Sequence, residues 1–179
     1  APQTVYYGWV TASGEMGYAY SVADLTTATN LYAPKCYLTM GSGWIVNGEF
    51  EPDKSAPSGT VYYGLTQTYV SGVRHLIEGY STDSSGFYKP SGTNFRNYRS
   101  VGSGWIVSDD SFEPDVENTS STDIYLVSLA FSVNSTTSVQ RWLYTTDTTD
   151  QFGRTYIYTF NGSQFHGRIY PISKGWIES

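Results

Sequence analysis

Three short words recur in the same order along this chain, and no other feature restricts its fold as tightly. Val5-Tyr6-Tyr7-Gly8 returns as Val61-Tyr62-Tyr63-Gly64 and, in reduced form, as Ile124-Tyr125-Leu126. Tyr20-Ser21-Val22, with Asp24 close behind, returns as Tyr80-Ser81-Thr82-Asp83 and Tyr144-Thr145-Thr146-Asp147. Gly43-Trp44-Ile45 returns as Gly104-Trp105-Ile106 and Gly175-Trp176-Ile177. Self-similarity at a nearly fixed period marks an architecture built from one supersecondary unit that cannot bury its apolar face alone. The words divide the chain into segments 4–59, 60–121 and 122–179, expected to form one domain (1–179) of three internal repeats. The first two segments end in Phe50-Glu51-Pro52-Asp53 and Phe112-Glu113-Pro114-Asp115, a tail absent from the third. Tyr20 to Trp44, Tyr80 to Trp105 and Tyr144 to Trp176 span 24, 25 and 32 positions, so the third segment holds an insertion of about seven.

Runs rich in Val, Ile, Tyr, Thr and Phe at 4–10, 61–70, 124–133 and 156–160, often alternating with period two, predict strands. Gly, Ser, Asn, Asp and Pro clusters between them predict turns, and Asn161-Gly162 between two such runs predicts a hairpin. Helical periodicity is confined to two short candidates, 22–29 and 73–79. The chain is therefore expected to be all-β. Three equal units favour pseudo-threefold closure of a β-trefoil-like kind, with a β-prism and a β-sandwich as alternatives. Closure would also remove strand edges, which a chain with only 15% charged residues is poorly equipped to protect.

A net charge of -6 with only ten Lys and Arg argues against a nucleic-acid partner. The single Cys36 excludes an internal disulfide and any multi-cysteine zinc site, and it is expected as a small buried side chain. No run approaches the roughly 18 apolar residues that span a bilayer. With no signal segment before Ala1, the chain is expected to be soluble and either already processed or made without a signal.

The Gly-Trp-Ile words are expected to be strand starts whose indoles seal the core, and the Phe-Glu-Pro-Asp words to be tight turns anchored by Phe. The second of these, with Asp109 and Asp110, also offers carboxylates of a type that binds calcium, but the turn explains the same letters without a cation. As a glycosidase pair they are weaker still, and His75 and His166 lack a supporting nucleophile motif. No catalytic residue, metal or cofactor is assigned.

Trp9 and Trp142 have no counterpart in the other segments, so the shared scaffold does not require them and they are the better ligand platforms. Polar and aromatic residues recur just before each Tyr-Ser/Thr word: Arg74, His75 and Glu78 in one segment, Gln140, Arg141 and Trp142 in another, and Glu15 in the first. Such residues fit a binding rim or ordinary solvent-facing strand positions. The ligand-binding set expected is Trp9, Arg74, His75, Glu78, Arg141 and Trp142. Sequons stand at Asn118, Asn134 and Asn161.

The order of a strand opening, a Tyr-Thr-Thr-Asp word as at Tyr144 to Asp147, and Gly-Trp leading a short aromatic strand to Phe50 resembles a repeat of unknown function. That repeat accompanies secreted hydrolases and surface proteins of bacteria and fungi. The resemblance implies an extracellular, noncatalytic module and transfers no functional residue. Together these features lead to the expectation of a non-enzymatic, lectin-like carbohydrate-binding module, secreted or on a cell or virion surface, with glycans or a glycosylated cell surface as partner. The alternative is an oligomeric adhesin or fibre-tip receptor-binding head, followed by an enzyme or protease inhibitor.

Overall fold

Alternation of β-branched and aromatic residues with small polar ones lets each opening word lie in a strand with one face turned inward. The computed structural model describes residues 1–12, 15–24, 37–70, 73–87, 98–132, 138–146, 156–160, 163–167 and 170–179. Cys36 lies outside them. Strands β1 (Gln3–Ala12), β2 (Glu15–Ser21), β3 (Tyr37–Val46) and β4 (Glu49–Pro52) form a sheet in the order β2-β1-β3-β4. Strands β5 (Gly59–Val70), β6 (Val73–Ser81), β7 (Tyr98–Ser108) and β8 (Ser111–Pro114) repeat that order as β6-β5-β7-β8. A short helix α1 (Val116–Thr119) follows, then β9 (Thr122–Ser132), β10 (Ser138–Thr145), the pair β11 (Tyr156–Phe160) and β12 (Ser163–Gly167), and β13 (Tyr170–Gly175). The third sheet runs β10-β9-β13, and among the described residues β11 pairs only with β12.

The protein is all-β, and its antiparallel sheets are curled into half-barrels. A trefoil is not among the described sheets. The curl has a local cause. Opposite Val5 and Tyr6 stand Gly41 and Thr39, which leaves Met40 as an extra residue in β3. Opposite Val61 and Tyr62 stand Gly102 and Ser100, with Val101 extra, and opposite Ile124 and Tyr125 stand Ser173 and Pro171, with Ile172 extra. An extra residue on one strand bends it and increases the twist. In the first two sheets the next residue has positive φ, +98° at Gly41 and +105° at Gly102, a conformation glycine adopts without a side-chain clash. Met40 and Val101 are buried, and one apolar cluster joins them to Val5, Leu38, Val61, Ile106, Phe112, Ile124 and Ile177.

Successive sheets meet where the third strand is only half covered. β4 pairs with residues 43–46 of β3, so the stretch before Gly43 keeps a free edge on that side. The end of β6 occupies it: Thr82 N donates to Thr39 O at 2.8 Å, and Thr39 N donates to Ser81 Oγ at 2.9 Å. The end of β10 occupies the matching stretch of β7. There Thr146 N and Thr145 Oγ1 both donate to Ser100 O, at 3.1 and 2.8 Å. Ser81 and Thr145 are fully buried by these contacts.

Three expectations change. Residues 73–79 belong to strand β6, paired along its length with β5, because a cross-strand partner outweighs a weak helical period. The 22–29 candidate lies mainly outside the described residues. The repeated indoles do not seal the core: Trp44 is 39% and Trp176 44% exposed, and Trp105 is half-buried. Period-two alternation puts Gly and Ile of each word on one face and Trp on the other. Trp105 instead donates from Nε1 to Ala56 O at 2.9 Å and lies under the Lys54 ammonium. The Phe-Glu-Pro-Asp words are not turns around proline, since Glu51-Pro52 and Glu113-Pro114 close the edge strands β4 and β8, where a missing N–H is tolerated. Their aspartates start the turns: Asp53 accepts from Ser55 N at 3.1 Å, and Asp115 O accepts from Asn118 N as α1 begins. Phe50 and Phe112 are buried, as the anchor role requires.

The glycine of the Gly-Trp-Ile word is held by close approach. A Cβ on Gly43 would meet the Glu51 carbonyl oxygen and stand 2.8 Å from the Phe50 ring, and one on Gly104 would meet the Glu113 carbonyl and stand 2.7 Å from the Phe112 ring. Gly59, by contrast, has open space around it. Gly104→Ala is expected to cost about 1–3 kcal/mol, and Gly59→Ala to be neutral or stabilising by up to about 1 kcal/mol. Thermal unfolding of the two variants checks this, and equal melting temperatures would contradict it.

Candidate functional site

β10 is the outer strand of the third sheet, and an edge strand leaves its outer row of main-chain groups to whatever packs beside it. Beside it stand the ends of β5 and β6. Between them lies an open cleft of about 290 Å³ lined by Tyr63, Glu78, Tyr80, Asp110, Arg141, Trp142, Leu143, Tyr144 and Glu178 among others. Trp142 and Tyr144 are two residues apart on β10, so the pleat puts both rings on one face. They are 57% and 50% exposed, among the most exposed large apolar side chains of the described residues.

A polar bridge lines the same cleft. Arg141 Nε donates to Glu78 Oε1 at 2.9 Å, and the Tyr63 hydroxyl hydrogen-bonds the same carboxylate. Burial, then the negative Glu78, pushes the Tyr63 hydroxyl well above its ordinary value of 10, with Arg141 acting in the opposite sense. Tyr80 is raised by burial and then by Asp110; its ring lies 4.9 Å from that of Tyr63 and 5.4 Å from Phe112. Across the sheet junction, Tyr20 is raised chiefly by burial while its hydroxyl donates to Asp109 Oδ1 and accepts from Asp109 N, both at 3.1 Å. The cleft therefore presents two aromatic faces, a salt-bridged carboxylate and guanidinium, and phenols that stay protonated to high pH. Such groups can stack on an apolar surface and exchange directional hydrogen bonds with hydroxyls.

Of the six expected ligand residues, Glu78, Arg141 and Trp142 come together here although 63 positions separate Glu78 from Arg141. Trp9, Arg74 and His75 lie in β1 and β6, opposite Tyr18, Tyr69 and Thr68, with side chains outside the described residues. Sequence reasoning missed Tyr63 and Tyr144 because both belong to repeated words assigned to the scaffold. The signal for Tyr144 was its place two residues beyond Trp142 in a strand. Asp110, weighed earlier as a calcium ligand, lines this cleft instead, and among the described residues no three of His, Cys, Asp and Glu cluster as metal ligands. Asn118 is exposed and donates to Asp115 Oδ2, while Asn134 and Asn161 fall outside the described residues. Among the described residues, no helix is long and apolar enough to cross a membrane.

No protein-family model, curated protein or solved structure matches this chain.

The raised tyrosines set a pH dependence. An unfolded chain gives up tyrosine protons near pH 10, whereas the folded chain keeps those of Tyr63, Tyr80 and Tyr20 to higher pH. Their contribution to stability is therefore complete below about pH 10 and is lost as pH rises through the folded-state values. Melting temperature is expected to fall as pH rises from about 10 upward, and Tyr63→Phe to flatten that fall. An unchanged slope in the variant would remove Tyr63 from the account.

Proposed function

We propose that this protein is a non-enzymatic carbohydrate-binding module that works outside the cell, with the cleft beside β10 as a shallow saccharide site. The observation that carries the reading is the pair Trp142 and Tyr144, side by side and half or more exposed on one face of an edge strand, with the Glu78–Arg141 bridge lining the same cleft. Aromatic rings offer a stacking face for the C–H side of a sugar, and the bridge and tyrosine hydroxyls offer hydrogen bonds to its hydroxyls. The carboxylate best placed in the cleft is already held by Arg141 and Tyr63, which suits recognition better than proton transfer. A chain rich in Ser, Thr and Tyr with few charges supports a secreted or surface-exposed setting.

The scaffold we propose is three copies of one module arranged in approximate threefold repetition. Shared strand order, the shared extra residue in each third strand and the matching junctions at Thr39 and Ser100 support it. Several weak sites on one surface would gain affinity through multivalency. The second reading, an oligomeric adhesin or fibre-tip head, is favoured by the exposed Val22 at the end of β2.

A glycan array followed by titration with the best saccharide tests the proposal, with tryptophan fluorescence as readout. Binding in the range of about 1 mM per site is expected, and Trp142→Ala should weaken it about tenfold or more. Absence of binding to every saccharide presented, or an unchanged affinity in the variant, would defeat the reading.

A further inference from the structure

Two junctions join the sheets, and a third set of the same parts stands unjoined. Register against the first strand defines the equivalence: Ser21, Ser81 and Thr145 pair with Tyr6, Tyr62 and Tyr125. On the acceptor side Thr39, Ser100 and Pro171 pair with the same three tyrosines. Ser81-Thr82 sits on Thr39 and Thr145-Thr146 on Ser100, but among the described residues no strand receives Ser21-Val22. Ser21 Oγ accepts from Ala23 N at 3.1 Å, just as Ser81 Oγ accepts from Asp83 N at 3.1 Å, so the word is already folded in its docking shape. Val22 is 49% exposed, and neither it nor Ser21 bonds to β13. Among the described residues, β13 pairs with β9 and has no fourth strand beside it.

We propose that these two open halves meet between copies: Ser21-Val22 of one chain docks on the outer edge of β13 of a second chain, at Pro171 to Ser173. The chemistry fits at each position. At the Ser100 junction both donors end on the carbonyl oxygen, and Pro171 keeps its carbonyl although it lacks an N–H. Val22 N takes the place of Thr82 N and Thr146 N as donor. A methyl of Thr82 stands 3.5 Å from the Cβ position of Gly41, and one of Thr146 3.6 Å from that of Gly102. Valine carries the same branched methyl, and Ser173, exposed on β13, stands in the register position of those glycines. The contact is head to tail, and each chain carries both halves. Association therefore continues beyond a dimer into a ring or filament.

Sedimentation velocity of the full chain from micromolar to millimolar concentration tests this. Wild-type protein is expected to show a mass that rises with concentration past that of two chains. Val22→Arg blocks the donor half and Ser173→Arg the acceptor half; both sites are exposed, and circular dichroism with a thermal melt verifies that each variant folds. Each variant alone should remain a monomer, while an equal mixture should stop at two chains, because one intact half of each kind remains. Val22→Thr, which copies the working junctions, should associate at least as well as wild type and stands as a second probe. A wild-type mass constant at 19.9 kDa, association undiminished in either arginine variant, or a mixture that stays monomeric would overturn the proposal.

Discussion

The carbonyl and amide groups on the uncovered half of each third strand are the constraint around which this molecule is organised. A strand edge in a protein of low charge must be covered, because its polar backbone groups otherwise recruit whatever strand comes near. β4 and β8 reach only from Gly43 and Gly104 onward, so the preceding stretch is left for the next sheet. Thr39 and Ser100 therefore become the points at which one curled sheet is fastened to its successor. The tightness of that fastening shows in Ser81 and Thr145, which are completely buried although both are polar.

The extra residue in each third strand and the sheet junction are two aspects of one device. Met40 and Val101 point into the core because the strand is locally overlong, and the bend they create turns the neighbouring backbone outward to meet the incoming word. Gly41 and Gly102 permit the positive φ this requires and leave room for the methyl of Thr82 or Thr146. A Cβ at either position would meet those methyls at 3.5–3.6 Å, an ordinary contact, so the backbone conformation rather than packing selects glycine. The fourth strands add a second close approach, at Gly43 and Gly104, which presses the Phe rings against the sheet and finishes each half-barrel.

The candidate cleft is a by-product of the same arrangement. Fastening β10 to β7 brings the outer edge of the third sheet beside Tyr63 and Glu78 of the second, and only then do Arg141 and Glu78 meet. Its aromatic wall is set by one strand, with Trp142 and Tyr144 on one face by simple alternation. Its polar wall depends on three strands from two sheets. An exposed ion pair of this kind adds little stability, about 0.2–1 kcal/mol, so its value lies in the hydrogen-bonding surface it holds in place.

What the sequence determined on its own was local and periodic. Strands at the opening words followed from β-branched and aromatic alternation, and the pairing of Phe160 with Ser163 followed from Asn161-Gly162 between two such runs. Glu78, Arg141 and Trp142 were legible as a polar and aromatic rim because their residue types recur before each Tyr-Ser/Thr word. The face on which each tryptophan lies was also written in the alternation of Gly-Trp-Ile, though the size of the indole drew the reading toward the core. Tertiary structure decided the rest. Whether 73–79 is helix or strand depended on β5 lying alongside, and whether Pro52 turns the chain depended on Gly43 standing opposite. That Tyr63 shares a carboxylate with an arginine from another sheet could not be read from spacing, because hydrogen bonds from Thr145 and Thr146 to the Ser100 carbonyl, about 45 positions away, set that distance, and no local propensity encodes them.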